Sequence, residues 1–148
     1  MGMYTEIVVG IALKGDAPES VVKAVRYMAS TDQDGRTKPD DFPLKGDRSE
    51  WMFHGSSYYF PNNIPHCSMI QDTIDKTWQL DVRANIKNYS GEIEEFFEWI
   101  APYVESQGEW TIMGYSRYEE DDQPWAYYAG EDGACHQVRV PAPAGKGK

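Results

Sequence analysis

One phrase occurs twice in this chain. Residues 50–59 read EWMFHGSSYY and residues 109–118 read EWTIMGYSRY. Glu50/Glu109, Trp51/Trp110, Gly55/Gly114, Ser57/Ser116 and Tyr59/Tyr118 match at one constant offset, with Phe53 opposite Ile112. The agreement reaches Pro65 and Pro124, each followed by a short strand-like run, PHCSMIQ and PWAYYAG. Agreement of pattern, order and offset marks an internal duplication, in which each copy is one supersecondary unit.

The rest of each copy can be read from hydrophobic periodicity. In residues 5–14, Ile7, Val9, Ile11 and Leu13 alternate with smaller or polar residues, the period of a strand with one buried face. Residues 78–87 repeat the pattern with Leu80, Val82, Ala84 and Ile86, and their other face is polar throughout. Each strand leads into a helix. In the first copy Asp16 and Glu19 have capping-box spacing, Pro18 suits the first turn, and Val21, Val22, Val25 and Met28 form a stripe. In the second copy Ser90 can cap, and Ile93, Phe96, Phe97, Ile100 and Val104 follow helical spacing. Pro102 predicts a kink or an end near Ala101.

The unit is therefore strand–helix–strand–strand, in copies spanning 4–72 and 77–130. The chain's 148 residues suffice for one hydrophobic core. The predicted fold class is α+β: one domain over residues 1–140, an antiparallel sheet and two helices, followed by a disordered tail, 141–148. Residues 30–49 form a long polar loop without a counterpart in the second half. Residues 73–76, TIDK, read as the hairpin turn between the copies, and residues 137–140, QVRV, as a last edge strand. Two arrangements fit. One is ferredoxin-like, with both helices on one face of the sheet. The other is a curved six-stranded sheet or barrel whose topology resembles the effector-binding domains of bacterial drug-sensing regulators.

A resemblance in wording points elsewhere. VRANIKNYSGEIEEFFEWIAPYV (82–104) followed by GYSRYEEDDQP (114–124) resembles small uncharacterised proteins of phages and mobile elements in Gram-positive bacteria. It covers roughly the second half of the chain and implies an origin rather than a chemistry.

Charge narrows the partners. The formal net charge is −10, which opposes sequence-general binding to phosphate backbones. No long apolar run spans a membrane and no basic-then-apolar segment opens the chain, so a cytoplasmic location is expected. Five Trp and ten Tyr supply aromatic surface for contacts.

The polar face of residues 78–87 carries the first candidate site. Arg83 and Asn85 lie on it, and the neighbouring strands are expected to add His54, Tyr58, Tyr115 and Arg117. Together they form a platform for a small anion or a peptide. The alternative is a solvated face on which Arg83 pairs with Asp81 or Glu6. Trp99, beside the acidic helix positions Glu94, Glu95 and Glu98, is a second contact candidate. Those glutamates are otherwise expected to be plain surface.

Other chemistry is thinner. Glu50 and Glu109 would do acid–base work only if brought together. His54 lacks a nucleophile motif nearby. Cys67 and Cys135, each beside a histidine (His66, His136), can be read as a zinc set, but ordinary thiols suit their spacing better. The acidic turn 118–124, YEEDDQP, lacks the spaced ligands of a calcium loop. No phosphate-cradling loop or dinucleotide fingerprint occurs.

No catalytic residue, metal or cofactor is therefore expected. The expected function is that of a non-enzymatic accessory protein, of phage or mobile-element origin, that binds and modulates a host protein, with anti-defence among such roles. The alternative is a small-molecule-binding module with a pocket between the copies lined by Trp51, Trp110, Tyr59 and Tyr118. A homodimer fits either reading.

Overall fold

The computed structural model describes residues 3–30, 37–60 and 64–144. The elements run β1 (Tyr4–Ala12), α1 (Glu19–Ala29), β2 (His66–Gln71), β3 (Trp78–Lys87), α2 (Glu92–Ile100), β4 (Trp110–Tyr118), β5 (Trp125–Gly130) and β6 (Cys135–Arg139). Short 3-10 turns occupy Ser49–Trp51 and Ala101–Tyr103. The strands form one six-stranded sheet in the order β2-β3-β1-β4-β5-β6, with every pairing antiparallel. The fold is α+β. Up to β4, element order and strand order are those of the ferredoxin-like arrangement, and β5 and β6 extend one edge as a meander.

The alternating strands build one core. Ile7, Val9 and Ile11 of β1 and Leu80, Val82, Ala84 and Ile86 of β3 are buried in one cluster with Val25 and Met28 of α1 and Ile93, Phe96 and Phe97 of α2. Both helices thus cover the same face of the sheet. The β1–β3 register puts Val9 opposite Val82, Ile7 opposite Ala84 and Ile11 opposite Leu80. An offset of 73 residues carries Ile7 to Leu80 and Ile11 to Ala84, the same pairs exchanged. A local twofold therefore passes between Val9 and Val82, and the strand repeat seen in the sequence is a real symmetry at the centre of the sheet.

The helix ends differ in detail from expectation. Pro18 is the N-cap of α1 and Asp16 makes no capping bond. The N-cap of α2 is Gly91, at φ 68° in the left-handed region that glycine tolerates. Asn88, rather than Ser90, satisfies an orphan donor there, its Oδ1 accepting from the Ile93 N–H at 2.9 Å. Helix α2 stops at Ile100 and Pro102 sits in the 3-10 turn that follows, as its ring requires.

The repeated phrase itself does not fold twice in the same way. Residues 110–118 are β4, whereas Trp51 ends a 3-10 turn and residues 52–60 carry no strand. Adjacent Met52 and Phe53 both enter the same core cluster, whereas neighbours on a strand point to opposite faces of the sheet. The predicted polar loop lies partly outside the described residues (31–36), as does the end of the predicted tail (145–148). Residues 37–48 are irregular, with turns at 40–41 and 47–48, and 73–76 do form the β2–β3 turn.

Candidate interaction face

The sheet face away from the helices divides into a covered half and an open half. The divider is the chain after Phe53. Gly55 sits against the free edge of β3, its carbonyl accepting the Asn85 N–H at 3.0 Å. A Cβ on Gly55 would lie 2.4 Å from the Asn85 carbonyl oxygen, so only glycine allows this approach. From there residues 56–60 pass over the outer face. Tyr59 stacks on Tyr4 with ring centroids 5.8 Å apart, and the Arg117 guanidinium lies 4.9 Å from the Phe60 ring. Phe60 is buried by this contact.

Under this strap lies an ion cluster. In the sheet register Glu6 faces Asn85 on one side and Arg117 on the other. Its carboxylate is almost fully buried. Arg83 Nε donates to Oε2 at 3.1 Å, its Nη2 lies 3.1 Å from the same oxygen, and Arg117 Nη2 lies 3.7 Å from Oε1. Two guanidiniums on one buried carboxylate satisfy its desolvated charge. Asn85 is also buried, and its Oδ1 has no hydrogen-bond partner among the described residues.

Four of the predicted site residues therefore come together: Arg83, Asn85 and Arg117 around Glu6, with Tyr115 half-exposed on β4 opposite Val8. Three do not join them. His54 belongs to the turn before the strap, and its Nε2 is 2.9 Å from the Met28 carbonyl at the end of α1. Tyr58 lies on the strap and points to solvent. Trp99 is on the helix side, packed on Phe96 and Tyr103. The departures of His54 and Tyr58 share one cause, since the predicted strand at 50–59 is a turn and strap; Trp99 keeps its predicted place on α2, apart from the sheet face, and packs at the edge of the core.

Of the acidic helix positions, Glu98 is exposed as expected, but Glu94 and Glu95 are not plain surface. Glu95 accepts from the Lys45 and Gly46 N–H groups at 3.2 and 3.4 Å. Glu92, fully buried, accepts from the Ser90 N–H at 3.0 Å and the Arg48 N–H at 3.1 Å. Glu94 accepts from Asn88 Nδ2 at 2.8 Å. These carboxylates tie residues 45–48 to the N-terminal turn of α2, where the helix dipole favours negative charge.

The remaining chemical candidates are dispersed. Glu50 accepts from Tyr27 Oη at 2.6 Å and Lys38 Nζ at 2.9 Å, whereas Glu109 is exposed just before β4. Cys67 is on β2 and Cys135 on β6, at opposite edges of the sheet, which rules out their sharing one ion. Burial pushes each thiol up to about 11, with Asp81 adding to the shift at Cys67 and Glu98 at Cys135. His66 pairs with Asp81 at 3.3 Å and His136 packs edge-on against Trp110. Among the described residues no three His, Cys, Asp or Glu side chains are grouped to hold a metal. Trp51 follows the helix layer while Trp110 is on the outer face, so the two tryptophans do not line one pocket. Among the described residues no helix is long and apolar enough to cross a membrane.

The open half of the outer face was not anticipated. Small residues, Gly10 and Ala12, floor the central strand there, and a Cβ on Gly10 would touch nothing. Ile70 on β2 and Ile112 on β4 rise on either side, 64% and 52% exposed. They flank a depression of about 540 Å³, with Asp81 and Glu105 among its lining. Trp110, Tyr128 and Val138 continue the apolar surface towards β6. The only sequence trace of this trough is the alternation of Val8, Gly10 and Ala12 on the non-core side of β1. Comparisons of the chain with protein-family models, curated proteins and solved structures gave no match.

Proposed function

We propose that this chain is a non-enzymatic accessory protein, of the phage and mobile-element kind its second half resembles, that acts by docking a host protein on the open half of its sheet. The observation that carries the reading is the open trough floored by Gly10 and Ala12, in which Ile70 and Ile112, with Trp110 beyond, stand exposed among polar side chains. Soluble monomers rarely leave such a surface without a use. Its chemistry states what fits. Carboxylates of Asp81 and Glu105 rim a trough of mixed polar and apolar lining on a chain of net charge −10. The complementary partner is a protein surface with an apolar centre and a basic border, which the acidic field also steers into encounter. The chemistry-bearing side chains support binding over catalysis. His54 and Glu50 are engaged in internal hydrogen bonds, and both thiols are held protonated at neutral pH.

The test has two stages. The chain captures its partner from host lysate, and the purified partner is then titrated calorimetrically against wild type, Ile112→Lys and Asp81→Asn. Ile112→Lys puts a cation among the exposed apolar side chains of the trough and is expected to weaken binding about tenfold or more. Asp81→Asn is expected to weaken it less and to flatten its salt dependence. Equal affinity of wild type and Ile112→Lys for the same partner overturns the reading.

A further inference from the structure

We propose that the chain forms a symmetric homodimer by antiparallel pairing of β6 with β6 of a second copy, with Gln137 on the twofold axis. This goes beyond the docking face, since it uses the edge of the sheet rather than the trough over β1.

The backbone pattern selects the register. The Val140 N–H bonds the Pro124 carbonyl, and the Gly130 N–H bonds the Ala134 carbonyl. In an antiparallel ladder these groups alternate along the strand. Even-numbered residues 134–140 therefore face β5, and Cys135, Gln137 and Arg139 direct N–H and C=O groups outward from the last strand of the sheet. Pro141 stands at the next outward position and has no N–H to offer. The outward row is thus three residues long and centred on Gln137. Antiparallel self-pairing about that centre sets Gln137 opposite its own copy and Cys135 opposite Arg139. Every outward donor then meets an outward acceptor.

Side chains and charge favour a second copy as the occupant. His136 and Val138 lie on the outer face, beside Trp110 and Tyr128, and Val138 and Trp110 are both half-exposed. In this register His136 of one copy neighbours Val138 of the other, so the two apolar surfaces merge across the axis. Residues 135–140 hold no carboxylate, although the whole chain carries −10. Self-repulsion is therefore least at this edge. The Arg139 side chain is held on its own copy by Asp121, Gln123 and the Trp125 ring, so only its backbone is offered to the second copy. An unpaired edge without lysine or bulge is a template for a further strand.

Two measurements on the full chain decide it. Sedimentation equilibrium from dilute to concentrated protein is expected to show the mass rising from 16.9 kDa towards twice that value. Amide exchange at Cys135, Gln137 and Arg139 is expected to slow at least about tenfold over the same range, while His136 and Val138, already bonded to β5, hold steady. Gln137→Pro deletes the N–H on the axis and is expected to leave a monomer with wild-type circular dichroism. A constant monomer mass overturns the proposal. So does a dimer that survives Gln137→Pro, or one whose formation leaves the three amides unprotected. Protection that appears only when the captured partner is added assigns the edge to that partner and also overturns self-pairing.

Discussion

Arg83 holds Glu6 through two nitrogens at 3.1 Å, and Arg117 approaches the same carboxylate from the other side at 3.7 Å. This shared acceptor makes the two arginines partly redundant. Arg83→Ala should cost about 1–2 kcal/mol, since Glu6 keeps a guanidinium and Arg83 is itself half in water. Adding Arg117→Ala strands a buried carboxylate, and the double variant should lose about 3–5 kcal/mol, more than the two single changes summed. Urea melts of the three variants measure this. Strict additivity would mean that the cluster does not act as a unit.

Phe97 stacks on Tyr127 with ring centroids 4.1 Å apart, and both are buried. Phe97→Ala should destabilise by about 3–5 kcal/mol. Glu95→Ala removes the acceptor of two loop N–H groups and should cost about 1 kcal/mol. Midpoints of chemical denaturation test both. A Glu95→Ala midpoint equal to wild type would show that water replaces the carboxylate at no cost.

The two glycines of the repeated phrase share a constraint although their elements differ. A Cβ on Gly114 would lie 1.9 Å from the Val8 carbonyl oxygen, and one on Gly55 would lie 2.4 Å from that of Asn85. Neither neighbour is a flexible side-chain end. Gly114→Ala and Gly55→Ala should each destabilise by at least about 1–3 kcal/mol. Gly10→Ala, with open space around it, should change stability little and narrow the floor of the trough. Thermal melts of the three variants give the ranking.

Burial favours the neutral form of both thiols. Modification of Cys67 and Cys135 by a disulfide reagent at neutral pH should therefore be slower than that of an exposed thiol, rising as pH approaches about 11. The stability effect has a definite sign. A folded-state value raised above the unfolded one means that the unfolded chain releases its proton first. The thiol contribution is intact below the ordinary thiol value of 9.0 and is lost as pH climbs through about 11. Rapid modification at neutral pH would contradict the burial of these thiols.

Much of the architecture was legible in the sequence because it follows local periodicity. The alternation in 5–14 and 78–87 dictates two strands with one apolar face each, and the constant spacing between them already contains the twofold at Val9 and Val82. The stop at Ile100 follows from Pro102. That Arg83, Asn85 and Arg117 share one face of the sheet follows from the same period of two. Tertiary structure decided the rest. Similar wording at 50–59 and 109–118 could not reveal that Met52 and Phe53 would both enter the core, which turns the first copy into a strap. That strap, together with the pairing of β1 between β3 and β4, buries Glu6 and makes it the common anchor of two arginines. The open trough and the free edge of β6 depend on which strands end up side by side. Periodicity tells each strand which face to bury, but strand order is set by long-range packing, and only packing determines what is left uncovered.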